Sequence, residues 1–278
     1  MSFRFGTVGT PISSPKKPGG SVGAIIHLHE LGLNALELGW VQSVNVKEET
    51  CALIKATSSQ YDVGISVHAP YFINLNANDD EWPKSRKRLM DASYYGYLAG
   101  ATDIIFHPGS YFGEDPLQVL KKSTGRLEKC VDELKTNKIQ VTLRPETMGK
   151  SAMLGSFEDT LSLSKNIPGV LPCLDFAHLH ARSGDGSMNT EKEWGGLLNE
   201  YGKALGDSAL SNLHIHMSGI EYTPKGEKKH LTIRESDFNL DALFSALKIY
   251  NASGRILCES PILEEDAIFM KNKWEELI

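Results

Sequence analysis

Six residues of metal-binding type close six successive apolar or β-branched runs: His68 in "VGISVHA", His107 in "TDIIFHP", Glu146 in "IQVTLRPE", Asp175 in "VLPCLD", His216 in "NLHIHMS" and Glu259 in "RILCES". Glu37 in "NALELG" stands at the end of the preceding run. Any one of these has an ordinary explanation, because a strand histidine is commonly a hydrogen-bonded core residue. Six in succession call for another. Grouped carboxylates are costly to bury unless cations neutralise them, and neutral imidazoles among carboxylates are a donor set suited to Zn²⁺ or Mn²⁺. The pattern predicts a multinuclear metal site.

Such residues meet only if the runs that carry them are neighbouring strands with a common end. The predicted strands cover 3–8, 34–39, 63–69, 102–108, 139–146, 170–175, 212–218 and 255–260. Between and after them, helical patterns cover 20–31, 46–60, 83–99, 116–136, 157–165, 190–204, 239–251 and 264–276. Asp115-Pro116 reads as an N-cap with a first-turn proline, while Gly32 and Gly100 stand where helices end. Eight strand–helix units predict an α/β fold, a closed (β/α)8 TIM barrel of one domain spanning residues 1–278, with its site at the C-terminal strand ends. A doubly wound sheet is the alternative, but no GxGxxG turn or Walker-type loop follows a strand.

Strand alternation sorts the remaining histidines. His214 and His216 share a face, with His216 nearer the mouth, so His216 is the expected ligand and His214 a deeper supporting residue. In "CLDFAHLHARSGDG", Asp175 and His178 have the functional reading, and His180 that of a packing residue.

The formal charge of −6 weighs against a surface devoted to nonspecific nucleic-acid binding. Cys51, Cys130, Cys173 and Cys258 form no CxxC pair and read as reduced, buried thiols. With no apolar leader and no run long enough to cross a bilayer, a soluble cytoplasmic protein without membrane association is expected; a monomer is the separate expectation for its assembly.

Five motifs in order, "SVHAPYFINL" (66–75), "FHPGS" (106–110), "PETMGKS" (145–151), "CLDFAH" (173–178) and "CESP" (258–261), resemble the endonuclease IV family of AP (apurinic/apyrimidinic) endonucleases. The resemblance implies a zinc-dependent DNA-repair hydrolase with up to three Zn²⁺, Mn²⁺ being the other candidate metal. One zinc would take His68, His107 and Glu146; a second would share Glu146 and add Asp175, His216 and Glu259. The third would take His178, His230 and an aspartate two residues before that histidine. Here the aspartate is replaced by Lys228, which offers no lone pair while protonated. Glu227 is the expected substitute, its longer side chain offsetting the shift of one residue; a third metal held by the two histidines and water, or no third metal, are the other outcomes.

The implied reaction nicks duplex DNA 5′ to an abasic site, leaving a 3′-hydroxyl and a 5′-deoxyribose phosphate, with Glu146 and Glu259 as catalytic ligands. Tyr71 and Phe72 match the family's duplex-penetrating pair. Lys84, Arg86, Lys87, Arg88 and the lysines of 225–229 are candidate phosphate contacts. Three zinc ions would add about +6 to the chain and favour DNA at the mouth. The competing expectation is a keto-sugar isomerase or epimerase of the xylose-isomerase-like barrels, using Glu146, Asp175, His216 and Glu259 around one Mn²⁺ or Mg²⁺. A binding protein for damaged DNA without catalysis is a third.

Overall fold

The computed structural model describes residues 3–277. Strand and helix alternate from the start: β1 (Phe3–Val8), α1 (Gly20–Glu30), β2 (Ala35–Gly39), α2 (Glu48–Tyr61), β3 (Gly64–His68), α3 (Trp82–Leu98), β4 (Ala101–Phe106), α4 (Pro116–Thr136), β5 (Thr142–Pro145) and α5 (Phe157–Ser164). There follow β6 (Cys173–Asp175), α6 (Phe176–Arg182), α7 (Glu191–Leu205), β7 (Leu213–Met217), β8 (Gly219–Thr223), β9 (Gly226–Leu231), α8 (Leu240–Ile249), β10 (Gly254–Cys258) and α9 (Glu264–Glu276).

Local chemistry sets several helix ends. The Asp115 carboxylate accepts from the amides of Leu117 and Gln118 to start α4, with Pro116 in the first turn where no amide is needed. Capping boxes start α5 (Ser156 with Asp159) and α7 (Thr190 with Glu193). Gly32 and Gly100 take φ of +73° and +83° just beyond α1 and α3, a region that disfavours a side chain.

Eight parallel strands pair in the order β5-β4-β3-β2-β1-β10-β7-β6. The two ends of that row meet through bridges from Leu143 to Val170 and from Glu146 to Cys173, with the Thr147 amide donating to Cys173 O at 3.0 Å. The chain therefore forms the expected (β/α)8 TIM barrel. Its seam is short: β5 and β6 are only the ends of the predicted 139–146 and 170–175. Pro145, Pro168 and Pro172 carry no amide hydrogen, so little of this stretch can form a regular ladder.

Two elements were not expected. Helix α6 follows β6 without a loop, because the Asp175 carboxylate caps it by accepting from the His178 amide at 2.7 Å. The lysine-rich segment after β7, where no strand is predicted, is an antiparallel hairpin of β8 and β9. Its alternating Lys, Glu and Thr resemble a solvated stretch, but β8 packs on α6 and lays Ile220 against Ala177 and Ala181.

Apolar side chains fill the space between the strands and the outer helices, and all four cysteines are buried free thiols. Deep in the barrel, Arg144 Nε donates to Asp103 Oδ1 at 2.6 Å, and Arg255 Nη2 lies 3.2 Å from Asp103 Oδ2. Arg144 also donates to the carbonyls of Pro172 and Asn212, tying β5 to the starts of β6 and β7. This lower cluster carries its own counterions.

Candidate metal centre

The mouth of the barrel does not. Inward-facing positions recur every second residue along a strand, and at the C-terminal ends they bring together Glu146, Asp175, His216, Glu259, His68 and His107. The cavity they open into is about 230 Å³, and its lining includes Glu146, Glu227 and Glu259 but no lysine or arginine. Both carboxylate oxygens of Glu146, Oδ2 of Asp175 and Nδ1 of His216 are buried without a hydrogen-bond partner. Buried carboxylates normally have donors around them, so this arrangement calls for protons or cations.

Among the described residues, five groups of donor atoms each lie within 4.8 Å of one another. Two of them, Cys173 with His214 and His216, and Glu37 with His68 and His216, are wholly buried. Three reach the mouth: His68, His107 and Glu146; Glu146, Asp175, His216 and Glu259; and Asp175, His178 and His230. Glu146 and Asp175 are shared. Glu146 Oε2 lies 3.3 Å from His68 Nε2 and 3.4 Å from His107 Nε2. His216 Nδ1 lies 3.4 Å from both Glu146 Oε1 and Glu259 Oε1.

Hydrogen bonds behind the rings settle which nitrogens face the cavity. Nδ1 of His68, His178 and His230 lies 2.9, 2.9 and 3.1 Å from the carbonyls of Ala69, Thr147 and Glu259. A carbonyl only accepts, so each Nδ1 carries the proton and each Nε2 is left as a lone-pair donor. His178 Nε2 and His230 Nε2 then face each other at 3.3 Å. Two lone pairs at that distance repel unless a proton or a cation lies between them.

The field reinforces this. Burial pushes the Glu146 carboxyl up, but the imidazoles of His216 and His107 outweigh it and hold the group well below the carboxylate range. Burial raises Asp175 to about 6. Burial disfavours the charged form of His178, yet Asp175 and Glu146 push the ring up to about 10. The negative field of Asp175 and Glu146 that favours a proton on the empty site's His178 favours a divalent cation by the same attraction, and the donor set of imidazole and carboxylate fits Zn²⁺ or Mn²⁺.

Glu37 supports this layer from below. It is fully buried, with Oε1 2.9 Å from His216 Nε2, while Oε2 accepts from His214 Nε2 and Ser66 Oγ, both at 2.8 Å. His214, whose burial lowers it to about 4, is a neutral donor beneath the mouth. A carboxylate on β2 opposite a His-x-His pair on β7 was the available signal for this support.

The hairpin answers the question raised by Lys228. Ile220 pairs with His230, Glu221 with Lys229, and Tyr222 with Glu227, so Lys228 is an unpaired β-bulge residue. In a regular strand Glu227 and His230, three residues apart, would face opposite ways; the bulge puts both on the cavity side. Counted along the ladder, Glu227 stands two positions before His230, the separation at which the resemblance expects an acid. Its Oε2 is 3.6 Å from His178 Nε2, whereas Lys228 and Lys229 turn outward to Glu221.

His180, though two residues from His178, faces away. Its Nδ1 lies 2.9 Å from Ser187 O, and its Nε2 3.2 Å from Asp237 Oδ1, whose other oxygen accepts from the Tyr222 hydroxyl at 2.7 Å. This bridge fastens the hairpin to α6. No local pattern marks it, because its members are far apart in sequence.

Tyr71 stacks on His107, with ring centroids 5.0 Å apart, and stays half-exposed beside Phe72. Of the basic residues of α3, Lys84, Arg86 and Lys87 pair with Glu81, Glu133 and Asp91. Arg88 instead sits over the Phe72 ring.

A (β/α)8 barrel carries its functional residues at the C-terminal mouth, and this one gathers there imidazoles and carboxylates able to hold metal ions. The chain belongs to the xylose isomerase-like TIM barrel family, whose model matches residues 25–273. It is 36% identical over 273 residues to an uncharacterised protein of Methanocaldococcus jannaschii, covering 98% of this chain and 97% of that one. A probable endonuclease 4 of Bacillus subtilis is 31% identical over 191 residues, 64% of this chain and 60% of that protein. The endonuclease IV structure from Thermus thermophilus superposes with a TM-score of 0.71 at 19% identity, covering 98% of this chain and all (100%) of that one. A D-tagatose 3-epimerase-like protein gives 0.73 at 17% identity, covering 98% and 97%. The resemblance read from the motifs is thus borne out at family level, and the structural matches establish the fold. Among the described residues, no helix is long and apolar enough to cross a membrane.

Proposed function

We propose that this protein is a metal-dependent phosphodiester hydrolase of DNA repair, nicking duplex DNA 5′ to abasic sites to leave a 3′-hydroxyl and a 5′-deoxyribose phosphate. The observation that carries this reading is the set of three overlapping donor groups at the mouth of the barrel, joined through Glu146 and Asp175. A mononuclear isomerase needs only the quartet of Glu146, Asp175, His216 and Glu259, and would leave His68, His107, His178 and His230 without a role.

In this reading His68, His107 and Glu146 hold one zinc; Glu146, Asp175, His216 and Glu259 a second; and His178, His230 and Glu227 a third, with Asp175 close to both the second and the third sets. Bound there, divalent cations would supply hydroxide at neutral pH and neutralise charge on the phosphoryl and leaving oxygens. Glu146, central and without a hydrogen-bond donor of its own, sets the spacing of the donor groups. Glu259, the one member of its quartet that is not fully buried, is the carboxylate that can accept a proton from water. The carbonyls of Ala69, Thr147 and Glu259 keep three imidazoles in the tautomer that leaves Nε2 free. Tyr71 and Phe72 serve as the wedge that fills the gap left by a missing base. The protein works as a monomer, with residues 1–278 as one functional unit.

The quartet also keeps a second reading alive: keto-sugar epimerisation by two glutamates on opposite faces of the substrate carbon. Metal content and activity separate the two. Two or three zinc ions per chain and chelator-sensitive nicking of a duplex with a single abasic site are expected. About one metal per chain, with epimerase activity and no nicking, would overturn the proposal. Tight binding to abasic DNA without cleavage would make the protein a damage-binding relative.

A further inference from the structure

A groove of about 390 Å³ lies beside the metal cavity, between the loops that follow β3 and β4. Phe72 and Phe112 stand at its edges, 58% and 66% exposed, and Tyr71 lines both this groove and the metal cavity. Exposed aromatic side chains that rim a groove are a common mark of a ligand-binding surface.

Phe112 is also held out deliberately. Its φ is +52°, a left-handed conformation that is uncommon for a bulky residue. The loop cannot relax it easily, because its neighbours are tied down. Ser110 Oγ donates to Ala152 O at 3.1 Å and the Tyr111 amide to the same carbonyl at 3.3 Å, while the Tyr111 hydroxyl donates to Asp159. Gly109 backs directly onto the Asn74 side chain, where an added Cβ would lie 2.1 Å from Oδ1. Strain of this kind persists where surroundings over-determine it, and such positions cluster at ligand sites.

The chemistry of the groove selects its occupant. Aromatic faces take a flat ring by stacking, and the side-chain amide of Asn78 lines the same groove. The Arg88 guanidinium lies 5.7 Å from the Phe72 ring centroid and donates to Phe72 O at 3.2 Å, so a cation lines the same groove where it can meet an adjoining phosphate. A planar heterocycle carrying phosphates, continuous with a phosphodiester in the metal cavity, satisfies all three. We propose that Phe112 and Phe72 form a stacking site for an unpaired nucleobase next to the scissile phosphodiester, with Arg88 on the flanking phosphate. This rests on the phosphodiesterase reading and adds to it a base-holding surface in the loop after β4.

The test uses metal-loaded full-length protein and duplexes with one abasic site, in which 5-iodouracil replaces single bases on either strand near the lesion. Irradiation is expected to cross-link wild type through the peptide that carries Phe112. Phe112→Ala is expected to raise KM for the abasic duplex about tenfold with little change in kcat, and Phe112→Tyr to restore it. Wild-type nicking with unchanged KM in Phe112→Ala and cross-links confined to other loops would overturn the stacking site while leaving the hydrolase reading intact. Loss of a dimer in Phe112→Ala, at unchanged DNA affinity, would identify the occupant as a second copy of the chain and overturn it equally. If wild type neither binds nor nicks the duplex, the hydrolase reading falls and the stacking site falls with it.

Discussion

Glu146 is where the donor groups meet, and both of its oxygens lack protein donors. Replacing it with Gln keeps the shape but removes the charge that two groups share. Nicking is expected to fall by about a thousandfold or more, the equivalent of several kcal/mol of lost transition-state stabilisation, with secondary structure unchanged by circular dichroism. Near wild-type turnover in this variant would remove Glu146 from the chemistry. At the far side of the cavity, Glu227 and Lys228 make opposite forecasts from adjacent positions. Glu227→Ala is expected to lower bound zinc by about one ion per chain in elemental analysis, and Lys228→Ala to leave it unchanged, because only Glu227 faces His178. Equal zinc content in the two variants would reject Glu227 as a ligand.

At the level of elements, a one-residue bulge decides which hairpin side chains reach the site. Its register makes a test that does not touch any ligand. Deleting Lys228 regularises the ladder and leaves Glu227 and His230 two positions apart, so zinc content is expected to persist. Inserting one Thr between Glu221 and Tyr222 gives Lys228 a partner and turns Glu227 to the outer face, which is expected to release the third zinc. If the insertion variant kept full zinc, the face-switching account would be wrong. The bridge from His180 through Asp237 to Tyr222 holds the same hairpin on α6. Tyr222→Phe is accordingly expected to weaken zinc at His178 and His230 about tenfold while leaving the other two groups filled, as read by competition with a metal indicator.

The whole barrel depends on a polar cluster that takes no part in the chemistry. Burial pushes the Asp103 carboxyl up, but Arg144 and Arg255 outweigh it and hold the group well below the carboxylate range. A carboxyl whose folded pKa is depressed contributes stability that is present above its unfolded value, near 4, and is lost as pH falls toward the folded one. Asp103→Asn leaves two buried guanidinium groups without their counterion. Denaturant unfolding at pH 7 should therefore show a loss of about 3 kcal/mol, narrowing as pH drops below about 4. A loss that stayed constant across that range would show that the carboxylate charge is not what stabilises this layer.

The ring of strand-end residues, the barrel and the endonuclease IV likeness were legible in the chain itself, because strand alternation and strand–helix alternation are local properties that residue types reveal. The seam between β5 and β6 was legible only approximately, since prolines shorten both strands while their runs still read as apolar. Other features depend on partners remote in sequence. Glu37 supports His216 across the barrel, and the proton on each Nδ1 is fixed by a backbone carbonyl behind the ring. The groove at Phe112 exists because two loops far apart in the chain lie side by side. The direction in which Glu227 points follows from a bulge that forms only when β8 and β9 pair. A sequence determines periodicity and donor chemistry; which donors face one another is decided by register and loop packing, and these exist only in the folded chain.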